Sequence, residues 1–335
     1  MNRRQIIFLV ASVLVSGVSL VLVLQNIPLT EVLDTIQQAD GTLLILTFGV
    51  MTLSMFTRGV RWWGLLGYRL KLIHASHIVN VMFLGNQLPL RMGEVARSVL
   101  SIRGGVPIVT SATSIVVERL VDMLVVVLMI AGVVSQLPDV PTEVTQSATL
   151  FGILAVIGFV VLLIFARIPD TAHRILDTIL NLIPILKRLP LKTILNHVLD
   201  GLQPLTQIRT LLFVLVWTVI AWATSLLSFY LLHLALDIEV NYALSVPLGI
   251  ALASLSIALP VSVAALGPFE AAIVLMGQIV GMDGVVALSL GFLLHGMSVL
   301  AYAVWGVISL VALGISPATA FKANKDADEP AEAET

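Results

Sequence analysis

Between Arg91 and Asp122 an otherwise apolar chain gathers seven ionisable residues: Arg91, Glu94, Arg97, Arg103, Glu118, Arg119 and Asp122. Charged groups at membrane depth are costly and normally face a partner or a water-filled cavity, so they mark a candidate site. Arg91 and Arg97 stand three residues on either side of Glu94. A guanidinium binds phosphate through paired N–H groups, which makes these arginines candidates for holding an anionic headgroup. Snorkelling to the interface is the alternative for Arg97 and Arg103. Glu118 and Asp122, four residues apart, share one helix face, and Arg119 is spaced to pair with Asp122. The bland reading of this trio is a structural ion pair between helices, and the functional one is phosphate binding at Arg119 with proton exchange at the carboxylates. Later in the chain Glu270 is a proton site or a partner for an arginine, and His295, central in an apolar run, can titrate near neutral pH. His77 and His233 read as ordinary interfacial residues.

The elements that must position these groups follow from composition. The chain has 335 residues, 58% hydrophobic and 11% charged, with a mean hydropathy of +1.04. Soluble domains carry about a quarter charged residues, so this is an all-α polytopic membrane protein. A net charge of −2 without a basic face excludes a nucleic-acid partner, and the absence of cysteine removes thiolate chemistry and Cys-based metal sites. Neither a HExxH pair, a P-loop nor a defensible Ser/His/Asp order is present, so no enzyme, cofactor or metal is expected.

Residues 6–24 read as an uncleaved first span, 25–41 as an acidic loop, and 42–57 as a second span ended by Arg58 and Arg61 with Trp62, Trp63 and Tyr68 at the interface. Residues 75–90 are apolar but short and end at Leu88-Pro89 with Gly93 beyond, which predicts a re-entrant hairpin, since broken backbone inside a bilayer needs protein or water to cover it. Spans follow at 107–134 and 148–166. Residues 167–209 have apolar positions at Ile175, Leu176, Ile179, Leu180 and Ile183 in helical spacing, predicting amphipathic interfacial helices divided by Pro184, Pro190 and Pro204. A span at 211–234, a second broken hairpin within 244–281 and a last span at 284–313 complete the membrane domain, residues 1–315. Residues 316–335 read as a disordered tail.

Of the 18 Lys and Arg residues only Arg119 falls inside a span, and the rest are assigned to one side. By the positive-inside bias both termini are expected in the cytoplasm of a cell-membrane protein with six full spans and two hairpins. LPLRMGEVARSVL from Leu88 parallels LPVSVAALGPFEAAIVL from Leu259, and each is followed by a Gly-rich turn and a long span. Glu118 lies 24 residues after Glu94 and His295 lies 25 after Glu270. Hairpins entering from opposite sides make an inverted repeat, here about 42–134 and 211–313, and paired broken segments point to a midplane substrate site.

At Asn86, Leu88, Pro89, Arg91, Gly93, Glu94 and Arg97 the chain resembles the lysylphosphatidylglycerol synthase transmembrane region family, also called the flippase-like domain family. Glu118, Arg119 and Asp122, and Gly267 with Glu270, reinforce the resemblance. It departs where the family has Pro-Gly-Gly before the late glutamate: Ser262 to Leu266 reads SVAAL and Pro268 follows Gly267. The resemblance implies a stand-alone flippase-like unit that moves an anionic lipid or a polyprenyl-phosphate-linked sugar across the lipid bilayer, with Asn86 beside the arginines in the substrate site. Two other readings predict different behaviour. A proton-coupled transporter of a small soluble anion needs a fully aqueous pathway, and a membrane scaffold for a glycosyltransferase would dock that partner on residues 167–209 and tolerate neutralisation of Glu118 and Arg119.

Overall fold

The computed structural model describes residues 3–25, 27–88, 92–137, 142–183, 186–187, 189–258 and 263–315. Every regular element among them is helical. Four helices are long and apolar enough to cross a membrane: α3 (Gly41–Leu65), the Thr149–Arg167 part of α7 (Thr142–Arg167), α10 (Ile208–Ala235) and α13 (Gly284–Ala312). A fifth span results if α1 (Arg3–Leu24) and α2 (Leu29–Gln37), bent by 85°, count as one. The acidic segment after the first span therefore holds a helix rather than only a loop. Val32 of α2 is fully buried, and its carbonyl accepts from Ser289 Oγ of α13. That apolar contact gives the short helix its tertiary support.

α6 (Ile108–Val134) has 27 residues, ample for a bilayer crossing of about 20. Its polar content, Glu118, Arg119 and Asp122, sets it apart from the four apolar helices. Two pairs of short helices lie between the long ones: α4 (Leu72–Gly85) with α5 (Gly93–Ile102), and α11 (Tyr242–Ala258) with α12 (Pro268–Val280). Each is the half-length, broken arrangement expected from the Pro and Gly positions. Residues 89–91 and 259–262 lie outside the described residues, as does the tail 316–335.

α3 packs along α10, α4 packs on α13, and α11 packs on α6, so each hairpin leans against the long helix that follows the other hairpin. α3 is capped by Asp40, whose side chain accepts from Leu43 N at 2.9 Å, and Asp40 N donates to Ala235 O at the end of α10. Asp283 caps α13 in the same way through Val285 N at 2.8 Å. One apolar core, with Phe229, Ile273, Met276 and Leu290 fully buried, joins α10, α12 and α13. A second, around Trp62, Ile78, Leu202 and Leu205, ties α3 and α4 to α8 (Pro169–Leu182), α9 (Leu191–Leu202) and the 3-10 turn Gln203–Thr206. α8 and α9 confirm the helical spacing of the 167–209 segment, with Ile175 and Ile179 exposed and Leu180 buried. α7 turns Leu150, Phe151, Leu154, Ile157 and Ile164 outward, a face suited to lipid.

Candidate functional site

One turn of α6 separates Glu118 from Asp122, so both carboxylates leave the same face, and that face meets α3 rather than Arg119 of their own helix. Arg61 of α3 donates from Nη1 to Asp122 Oδ1 at 2.6 Å, and from Nη2 to Asp122 Oδ2 and Glu118 Oε1, both at 3.0 Å. The other Glu118 oxygen is bonded to Nη2 of Arg97, from α5. Arg97 is fully buried, its guanidinium lies 4.2 Å from the centre of the Trp62 ring, and its Nη1 reaches Met82 Sδ. Trp222 Nε1 of α10 donates to Asp122 Oδ1 at 3.1 Å. Four helices are thus fastened by two cations and two anions, a balanced set whose desolvation is offset only while every partner is present. Nε of Arg61 and Nε of Arg97 are buried without a hydrogen-bond partner.

Two further pairs lie outside this cluster. Glu94, in the first turn of α5, is bonded to Arg119 of α6, and both are substantially exposed, at 36% and 49% of their side-chain surface. Glu270, in the first turn of α12, is bonded through Oε1 to His295 Nδ1 of α13, and Glu270 is fully buried. Its second oxygen accepts from Gly267 N at 2.7 Å. His295 Nε2 stands 3.0 Å from Ala264 O, a carbonyl that only accepts, so Nε2 carries its proton. The contact between Nδ1 and Oε1 then contains one proton, held by the ring or by the carboxyl group. Both pairs join a hairpin glutamate to a group 25 residues later in the next long helix.

The sequence candidates are therefore split among three places. Arg97, Glu118 and Asp122 enter the buried cluster, Glu94 and Arg119 the exposed pair, and Glu270 and His295 the buried pair. Arg119 pairs with Glu94 and not with Asp122 as its spacing suggests, because Asp122 faces α3 and is filled by Arg61. Glu270 pairs with His295, not with an arginine of the first hairpin. Asn86 ends α4 with Oδ1 buried and unpartnered. Arg91 lies outside the described residues. His233 is fully buried with Nδ1 at 2.9 Å from Phe229 O, so it is a packing residue rather than an interfacial one.

Sequence reasoning missed the residues that α3 and α10 supply. Arg58 and Arg61 were expected at the interface as topology-setting charges, yet Arg61 is 1% exposed. The signal was present: Ser54, Arg58 and Arg61 recur at four and three residues, a polar stripe on an otherwise apolar helix. Trp222 had no signal, since one tryptophan in an apolar run is equally suited to lipid. No group of three His, Asp or Glu that could hold a metal ion occurs among the described residues.

A family model described as the lysylphosphatidylglycerol synthase TM region aligns with residues 9–306. No curated protein and no solved structure matches the chain significantly.

Proposed function

This chain belongs to the lysylphosphatidylglycerol synthase TM region family, and we propose that it moves an anionic lipid or a polyprenyl-phosphate-linked sugar between the leaflets by alternating access. The chain is a multi-pass membrane protein of a lipid-related family. In the proposed arrangement α1, α3, α6, α7, α10 and α13 are the six full spans, and α4–α5 and α11–α12 are re-entrant hairpins entering from opposite sides, with both termini cytoplasmic. α3 to α6 and α10 to α13 are the inverted repeats.

The observation that carries the reading is the difference between two matching pairs. Glu94 with Arg119 and Glu270 with His295 occupy corresponding positions of the two halves, each 25 residues apart. The first is exposed and the second sealed: Glu270 is 0% exposed. A transporter that alternates between two faces has one gate open and the other closed in any one state, and paired broken helices at the repeat interface are where such gates are built. An exposed ion pair within a bundle of apolar helices also implies a water-filled vestibule beside it, because lipid would not solvate it. A lipid suits this design, since its headgroup can enter the vestibule while its tails stay among the exposed apolar side chains.

The test is headgroup movement of fluorescent anionic and polyprenyl-phosphate lipids in proteoliposomes. Native chain is expected to move at least one of them, and Glu94→Gln and Arg119→Ala, both changes at exposed positions, are expected to slow it roughly tenfold or more without unfolding the protein. If folded native protein moves no lipid of either class, the proposal fails.

A further inference from the structure

Among the described residues, the ion pairs inside the bundle leave out Arg58. Among the described residues, Arg61 and Arg97 share Glu118 and Asp122, and Arg119 takes Glu94. Arg58, one turn before Arg61 on α3, forms no ion pair. Its Nη2 donates to Ser225 Oγ at 3.0 Å, and its Nη1 reaches Ser54 Oγ and, at 3.4 Å, Ala221 O. All three are neutral acceptors. The Asp122 carboxylate acts on Arg58 only through space, because its oxygens are bonded to Arg61 and Trp222. A cation held inside a membrane bundle without a carboxylate is destabilising unless an anion comes to it.

Arg58 borders a cavity of about 130 Å³ where α3, α4, α10, α11, α12 and α13 converge. A water occupies about 30 Å³ in the liquid, so the space exceeds what one or two waters need. Ser54, Ser225, Ser228, Ser254, Ser298 and Tyr302 line it among apolar side chains. The Ser225, Ser254 and Ser298 hydroxyls now bond carbonyls one turn back on their own helices. A serine hydroxyl rotates freely about its C–O bond and can turn its proton to an entering acceptor. Phe83 stacks on Tyr302 at 4.9 Å and 8°, forming an aromatic wall between α4 and α13. One guanidinium without a directly bonded carboxylate, several rotatable hydroxyls and apolar walls suit a phosphate group attached to something greasy.

We propose that this cavity binds a phosphate group, with Arg58 as the cationic anchor and the Ser54, Ser225 and Ser298 hydroxyls as additional donors. The site deepens the translocation reading above and rests on it only for the source of the phosphate. It also separates tasks: Arg61 and Arg97 hold helices together, while Arg58 holds cargo.

Purified full-length chain in detergent tests this through Trp222, which lines the cavity and reports by fluorescence. The probes are dihexanoyl phosphatidylglycerol, inorganic phosphate and phosphate-free octyl glucoside, with Trp222→Phe identifying the responding residue. Phosphatidylglycerol is expected to give a saturable change, to raise the unfolding temperature by mass action, and to bind Arg58→Gln roughly tenfold or more weakly. Arg58→Lys should recover part of the affinity, and Lys192→Ala, a change at an exposed pair that does not line the cavity, should bind as the native chain does. Binding of inorganic phosphate alone, still dependent on Arg58, would uphold the anion site and sink the lipid reading. Equal affinity in native and Arg58→Gln protein, or an identical response to octyl glucoside, would overturn the site. Should Arg58→Gln fail to fold, Ser54→Ala with Ser225→Ala serves instead: folded protein with unchanged affinity is the overturning result.

Discussion

A carboxylate that accepts from two buried arginines cannot be neutralised quietly. Glu118→Gln keeps the size of the side chain but leaves Arg61 and Arg97 partly unpaired in the interior, and removing one partner of such a set costs about 3–5 kcal/mol. We expect it to lower the thermal-unfolding midpoint and the yield of folded protein, as followed by size-exclusion profiles after heating. Arg119→Ala breaks an exposed pair worth about 0–1 kcal/mol, so its midpoint should stay close to that of the native chain. If the two variants unfold alike, the division between a structural cluster and a working pair is wrong. The same division explains why a loss of transport in Glu118→Gln alone says little about substrate contact, whereas a loss in Arg119→Ala does.

At the scale of elements, each hairpin depends on a glycine placed where its second half-helix starts. A Cβ at Gly93 would overlap the Met82 carbonyl oxygen and crowd Asn86, because α5 folds back against the end of α4. Gly267 has φ of 89°, in the region that favours glycine, and a Cβ there would come within 2.7 Å of Ser16 O on α1. Neither clash can be relieved by rotating a side chain, since the obstacle is backbone. Gly93→Ala and Gly267→Ala are each expected to destabilise their hairpin by well over the ~1 kcal/mol that distinguishes Gly from Ala in an ordinary helix. Limited proteolysis should then cut between α4 and α5 in the first variant and between α11 and α12 in the second, each leaving the other hairpin protected. Cleavage at both sites in either variant would mean the hairpins are not independent units. The prolines and glycines made both hairpins legible in the sequence, but not which helix each leans on.

For the whole molecule, the absence of native cysteine makes sidedness measurable. Val95 and Leu266 are exposed at 53% and 40%, near the starts of α5 and α12. In sealed cells or oriented vesicles, Val95→Cys is expected to react with an impermeant maleimide only from the cytoplasm and Leu266→Cys only from outside. Labelling of both from one side would remove the inverted repeat and with it the alternating-access reading. α4 packs on α13 and α11 packs on α6, so each pair of short helices contacts the other half of the chain.

The membrane class, the helical content, the family and both broken segments were determined by the sequence itself. Composition and the spacing of apolar residues, prolines and glycines act locally, and the helix period converts them directly into elements. The 25-residue interval from Glu270 to His295 was readable, and Glu94 is bonded to Arg119, also 25 residues on, rather than to Glu118. Which charges meet was decided only by tertiary structure. Asp122 has Arg119 three residues before it, yet bonds Arg61, 61 residues away, because α6 presents that face to α3. Arg58 and Arg61 end a hydrophobic run as interface residues do, and sequence has no term for the packing of α10 along α3 that half-buries the first and buries the second. Ion pairing inside a bilayer is set by which helix faces come together, and that is a long-range property of the fold.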